Sequence, residues 1–281
     1  MAIVSFIPAI WSAKLLLNLH KNLVFANLIN TDYEGEISGA GDRVKINEIG
    51  PINIGNYTKN SDISFQELTD AQKELIIDQL KYFAFQVDDV DKAQTKPKIM
   101  DGAMQEAAYG LKDAADQYVA GLYGGAGITS DLGTNASPLE IQSGDVVEVV
   151  ALIAQKMDEN NVPTEGRWMV IPPWFHNKMV LAKISSDKLN SEVLLNGRIG
   201  RFLGFDFSVS NNLDVDGTAD GTKILAGIKP SISFAGQIVQ TEALRLEKRF
   251  ADAVKGLYVY GAKVVRPSTL ACLTAKSKAE S

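Results

Sequence analysis

The sequence predicts an α+β fold, and three patterns carry that expectation. Residues 41–65 alternate with a period of two, residues 99–123 carry one helical stripe, and short strands and helices then alternate to the C-terminus. The chain has 281 residues, 46% of them hydrophobic and 22% charged. That length supports one large core or two modest ones, and the composition argues against disorder. A formal charge of −6 speaks against wrapping nucleic acid by bulk charge. The single Cys272 excludes an intramolecular disulfide and a cysteine-cluster zinc site. Two histidines, His20 and His176, are too few for a His-rich metal centre. No segment reaches the roughly 18 continuous apolar residues of a membrane span. The apolar start lacks a basic flank, and Lys14, Asn18 and His20 soon interrupt it, so no secretory signal is expected. The default expectation is a soluble protein of a reducing cytoplasm.

Taken in order, Leu15, Leu16, Leu19, Leu23 and Val24 have helical spacing, which predicts an amphipathic helix or arm. The turn signal Gly39-Ala40-Gly41-Asp42 opens a hairpin read over residues 41–65, with little core of its own. A two-stranded hairpin alone is marginal in water, so it is expected to rest on another surface, such as a neighbouring subunit. Residues 74–90 carry apolar side chains on both faces and predict one long strand. Met100, Met104, Ala107, Leu111, Ala115, Tyr118 and Leu122 form the helical stripe, with Asp116 mostly off it. Gly124-Gly125-Ala126-Gly127 ends that helix. Residues 143–159 and a segment opened by Pro172-Pro173 predict helices. Residues 168–171, 205–209, 223–226, 245–250 and 257–265 predict strands or strand pieces, residues 230–235 a short helix, and the chain after Thr274 a frayed tail.

Chemical motifs are sparse. The glycines of residues 121–127 follow a helix and lack a Gly-Lys-Ser/Thr, so they read as a helix stop rather than a phosphate loop. Asp88, Asp89 and Asp91 are close enough in sequence to hold a divalent cation, but their spacing is not that of a calcium loop. A turn, a helix cap or an intersubunit salt-bridge patch is the preferred reading. The run from Asp214 to Asp220 lacks the glutamate that a calcium loop needs at its twelfth position, where Leu225 stands. No nucleophile elbow accompanies His176, and Cys272 lies in an apolar stretch. No catalytic residue, metal ligand or cofactor is expected.

The order of arm, extended hairpin, long helix and mixed α/β unit resembles the tailed-phage major capsid protein of the Hong Kong 97 type. The matching wording includes Ile10-Trp11-Ser12, the runs 22–28 and 32–36, Gly41-Asp42-Arg43-Val44, and the runs 80–85 and 87–94. Gly204-Phe205, the run 209–213 and the stretch from Gly256 to Pro267 extend it over most of the chain. The resemblance implies an N-terminal arm at 1–30 and an extended loop at 31–74, its core at 35–68 lying over a neighbouring subunit. It implies a peripheral domain at 75–136 and 237–275 with a spine helix at 99–123, an axial domain at 137–236 and a flexible tail at 276–281.

The function implied is structural: pentamers and hexamers of an icosahedral head that encloses double-stranded DNA and expands during maturation. The implied place is the virion, assembled in the host bacterial cytoplasm, with no membrane partner. About thirty residues precede the loop, which favours a separate scaffolding protein, and a portal protein is a further expected partner. No residue matches the Lys–Asn crosslinking chemistry of some relatives. Arg43, Lys45, Glu48 and Lys59 of the loop, with Asp88, Asp89 and Asp91, are the expected intersubunit polar contacts. The alternatives are an encapsulin-like shell around cargo enzymes and a metal-dependent α/β enzyme using the aspartate cluster.

Overall fold

The computed structural model describes residues 24–33, 41–49, 52, 54, 56, 59, 70–88, 99–186, 201–216, 221–246 and 250–279. A single 3₁₀ turn, Phe25–Asn27, opens the described chain. Strands β1 (Arg43–Ile49) and β2 (Asp70–Ile76) then form an antiparallel hairpin. Val44 and Ile46 are buried while Arg43 and Lys45 face water, as period-two patterning demands. Strand β3 (Gln79–Asp88) leads to helix α1 (Ile99–Ala120) and a 3₁₀ turn, Gly121–Gly125. Then follow β4 (Leu139–Ile141), α2 (Val146–Glu159), β5 (Arg167–Ile171) and α3 (Pro173–Ser186). The last strands are β6 (Arg201–Phe202), β7 (Phe205–Val209), β8 (Val215–Asp216), β9 (Gly221–Ile228), β10 (Ile232–Arg245), β11 (Ala251–Val264) and β12 (Ala271–Ser277).

The strands make three sheets. One is the hairpin; the second is antiparallel, in the order β10-β11-β3. The third has seven strands, in the order β4-β12-β9-β5-β7-β6, with β8 on β9. Its central strands β5 and β9 are buried throughout, in keeping with the apolar runs at 168–171 and 224–228. Helix α2 lays Val146, Val150, Ile153 and Met157 into the main core. Helix α1 does the same with Met104, Ala108, Leu111, Ala115 and Val119, a stripe rotated by one residue from Ala107 and Tyr118. That rotation brings Asp116 inside, against the expectation that it lies off the stripe.

Four further expectations change. Residues 74–90 are not one strand: the chain turns at Ile77 and Asp78, so Leu75 belongs to the hairpin and Phe83 and Phe85 to β3. The strands of the hairpin pair Arg43–Ile49 with Asp70–Ile76, beyond the 41–65 limits read from sequence. Pro230 sits in a 3₁₀ turn, Lys229–Ser231, and the rest of the expected short helix is strand β10. The tail after Thr274 extends β12, where Ala275, Lys276 and Ser277 pair with Leu139, Glu140 and Ile141.

The hairpin is also less dependent on a neighbour than expected. Its foot buries Val44, Ile46, Leu75 and Ile77 against Ala235, Val259 and Val265, a second core on the face of the β10-β11-β3 sheet remote from α1. Gly41 N–H donates to Ile77 O at 3.0 Å and Ile77 N–H to Asp42 O at 3.1 Å, closing the foot. The correction has a simple cause: Leu75 and Ile77 supply the apolar partners that a hairpin ending at residue 65 lacked.

Phe205, the first residue of β7, is fully buried. Phe205→Ala is expected to lower unfolding free energy by about 3–5 kcal/mol, read by urea denaturation of the unassembled chain.

Candidate assembly surface

Beyond the foot, the same face of the β10-β11-β3 sheet is left open to water. Tyr82 pairs with Leu257 and Leu80 with Val259, so these four lie on the hairpin side of the sheet. Val259 is covered by the foot and Leu257 is half-buried, whereas Leu80 and Tyr82 are 52% and 79% exposed. Ile76, at the end of β2, is also exposed. On the far part of the hairpin Ile52 and Ile54 stand 67% and 97% exposed. Large apolar side chains grouped in this way on a surface mark a place for another surface to cover.

The residues singled out from sequence fall into two separated groups. Arg43 sits on β1 and forms an ion pair with Glu74 of its own hairpin at 3.1 Å. Lys45 is opposite Glu74 in the strand register and is exposed. Glu48 is opposite Ala71, and Lys59 is exposed farther along. Asp88 closes β3 opposite Ala251, while Asp89 and Asp91 lie outside the described residues. Strand β3 starts two residues beyond the hairpin and runs for ten residues, so Asp88 stands about 30 Å from its first residue. One chain therefore keeps its loop cations and its strand-end acid apart.

Among the described residues, no group of three His, Cys, Asp or Glu side chains is placed to hold a metal ion. Cys272 is buried, and desolvation pushes its thiol up to about 11 even though Lys223 acts in the opposite direction. It stays a thiol at neutral pH and is a poor nucleophile. Lys223 itself is a buried cation that sequence reading missed. Its Nζ donates to Thr274 Oγ1 at 3.1 Å and to Asn135 Oδ1, and lies 5.4 Å from the centre of the Tyr123 ring. It ties the segment before β4 to the seven-stranded sheet. Arg167 is a second such clamp, donating to Pro163 O at 2.8 Å, Val162 O at 2.5 Å and Asp158 Oδ1 at 2.6 Å.

No protein-family model and no curated protein matches the sequence. Solved structures do. The chain is similar to a structure from Mycobacterium phage Che8, at 27% identity and a TM-score of 0.73, over 90% of this chain and 91% of that one. It is similar to the capsid structure of the cyanophage P-SCSP1u, at 17% identity and a TM-score of 0.68, over 89% and 86%. The chain has the phage-capsid fold. A virus-like particle from Pyrococcus furiosus is also similar, at 16% identity and a TM-score of 0.58, over 94% and 97%. No helix among the described residues is long and apolar enough to cross a membrane.

In this capsid-fold subunit the segment 24–33 is fastened at three points. Phe25 meets Trp168 of β5 edge to face, with ring centres 6.3 Å apart. Asn30 bridges to β10, donating to Ile232 O at 3.0 Å and accepting from Phe234 N–H at 2.8 Å. The third point is Asp116 of α1, whose Oδ2 accepts the Val24 N–H at 3.3 Å. Burial pushes the Asp116 carboxyl up to about 6, against the opposing pull of the Val24 and Phe25 amides. The folded value lies above the unfolded one. The stability contributed by the protonated acid is thus fully present below about pH 4 and is lost as pH rises through about 6. Asp116→Asn, which keeps an acceptor without a charge, is expected to be at least as stable at pH 7. Relative to it, the unaltered chain should gain on the order of 2 kcal/mol as pH falls from 7 to 4, measured by denaturation at each pH.

Proposed function

We propose that the chain is a major capsid protein whose copies gather as pentamers and hexamers and close an icosahedral head around double-stranded DNA. The observation that carries this reading is a well-cored subunit that leaves Ile52, Ile54, Leu80 and Tyr82 in water on a capsid fold. The hairpin of one copy covers the exposed sheet face of the next. Each large side chain so buried contributes roughly 1.5–3 kcal/mol, and repetition over a closed shell turns weak contacts into a stable wall. The loop residues Arg43, Lys45, Glu48 and Lys59 and the acids Asp88, Asp89 and Asp91 act as polar contacts between copies. Their separation within one chain suits pairing across two. A separate scaffolding protein and a portal protein are the assembly partners, DNA is held without sequence-specific contacts, and assembly takes place in the host bacterial cytoplasm. Residues 1–30 act as the arm, 31–74 as the extended loop, 75–136 with 237–275 as the peripheral domain and 137–236 as the axial domain.

A cargo-enclosing shell is the second reading, favoured by the likeness to the Pyrococcus particle. Purified particles decide between them: DNA inside supports the phage head, and a protein cargo supports the other.

Replacing both Leu80 and Tyr82 with Asp is expected to leave the subunit folded, since exposed positions shift stability by only about 0.5 kcal/mol each. Shells should vanish from negative-stain images of the variant. Lys45→Glu should weaken assembly on its own, and adding Asp88→Lys should restore part of it; sedimentation profiles of the two variants read this out.

A further inference from the structure

We infer that the direction in which the hairpin leaves the subunit is fixed before assembly, by a seat whose critical position is Gly261. The inference rests on the shell reading for its consequence but not for its geometry. Gly261 of β11 is paired with Ala235 of β10, so the hairpin foot crosses the sheet where the side chains are smallest. A Cβ at Gly261 would stand 2.2 Å from Ile76 O, 3.0 Å from the Ile76 carbonyl carbon and 3.0 Å from Ile77 Cα. All three are backbone atoms of the turn between β2 and β3, so they cannot swing aside as a side chain can. Any residue but glycine must lift the foot by about 1 Å to reach ordinary contact.

Two lysines fasten the same seat from opposite sides. Lys73 of the hairpin donates from Nζ to Val265 O of the body at 2.6 Å. Lys263 of the body donates from Nζ to Glu74 O of the hairpin at 2.9 Å. Backbone carbonyls are placed by the sheet itself, so these bonds fix position without depending on the rotamer of a partner side chain. Between them lie the buried Leu75, Ile77 and Val259. A small tilt at this foot is carried outward along β1 and β2 to the exposed Ile54. The seat therefore sets where the hairpin meets the next copy and, through that, the curvature of the wall.

Hydrogen exchange on unassembled subunits tests the seat directly. The Gly41 and Ile77 amides, which donate to Ile77 O and Asp42 O, should already exchange slowly; slow exchange appearing only after assembly overturns the inference. Gly261→Ala should fold, raise exchange at those two amides, and lower the yield of shells of native diameter by about tenfold, because every interface carries the same error. Unchanged exchange with unchanged particle diameter and yield overturns it and leaves the shell reading intact. Should Gly261→Ala fail to fold, the double variant Lys73→Met, Lys263→Met loosens the seat without adding bulk to β11. It should raise exchange at Gly41 and Ile77 while the amides of β11 stay protected, and unchanged exchange there overturns the inference. An unaltered chain with slow exchange that never forms shells keeps the seat and discards the shell reading.

Discussion

Strand β11 must keep both faces and both edges out of water, and the arrangement of the hairpin, of α1 and of the β10-β11-β3 sheet follows from how it does so. Its edges pair with β10 on one side and β3 on the other. Tyr258, Tyr260 and Val254 join the main core on one face, where Tyr260 meets Tyr118 of α1 with ring centres 5.5 Å apart. Its tyrosine hydroxyl reaches back to Ala114 O at 3.4 Å. On the other face Val259 is sealed only because the hairpin foot lies over it. Without the foot, Val259 and Ala235 would be bare, so the element that projects from the subunit is also needed to complete it. Helix and hairpin are thus coupled through one strand, each covering a face the other cannot reach.

That coupling explains what the sequence could and could not reveal. The stripe of α1 and the buried runs of β5 and β9 are set by local period, so their existence and type were legible. The division at Ile77–Asp78 was not. No glycine or proline marks it, and Leu75 and Ile77 continue the same alternation as Phe83 and Phe85. What separates them is which face of β11 each covers, a tertiary fact. Pro230 gave a false helix signal for a similar reason: proline suits a single 3₁₀ turn as well as a first helical turn, and the residues after it are β-branched or aromatic often enough to favour a strand. Gly261, in the run Tyr260-Gly261-Ala262, carries no turn signal, and its need for a missing side chain arises from a segment some 185 residues earlier. The acid Asp116 carried a weak signal, since it sits beside Ala115 on a helix otherwise apolar on that side. Its amide partners at Val24 and Phe25 were beyond reach of pattern reading.

The charged residues divide along the same line. Of those picked from sequence by type alone, Arg43, Lys45 and Lys59 are exposed, and Arg43 is already engaged with Glu74 of its own hairpin. Exposed ion pairs of that kind contribute about 0–1 kcal/mol. Lys223, Arg167 and Asp116 are instead buried, each bound to carbonyls, amides or hydroxyls that the fold holds in place, and Lys73 and Lys263 are bound in the same way to carbonyls at the hairpin foot. Burial makes such groups depend on their partners, because an unpaired charge there would lose its solvation with nothing to replace it.

A hairpin used between copies faces an entropic problem, because ordering each backbone residue costs roughly 1–2 kcal/mol. If the whole flap were ordered only on contact, that cost would fall on every interface and offset much of the apolar burial there. Here the foot is ordered within the subunit by its own core, by two lysine clamps and by a glycine that lets backbones meet. In the proposed shell, the burial of Ile54 or Tyr82 between copies then acts against a smaller opposing term. Preorganisation also narrows the directions in which copies can join, so the same feature that strengthens the contact makes it specific. A shell needs both, since many weak contacts close into one uniform particle only when each is made at the same angle.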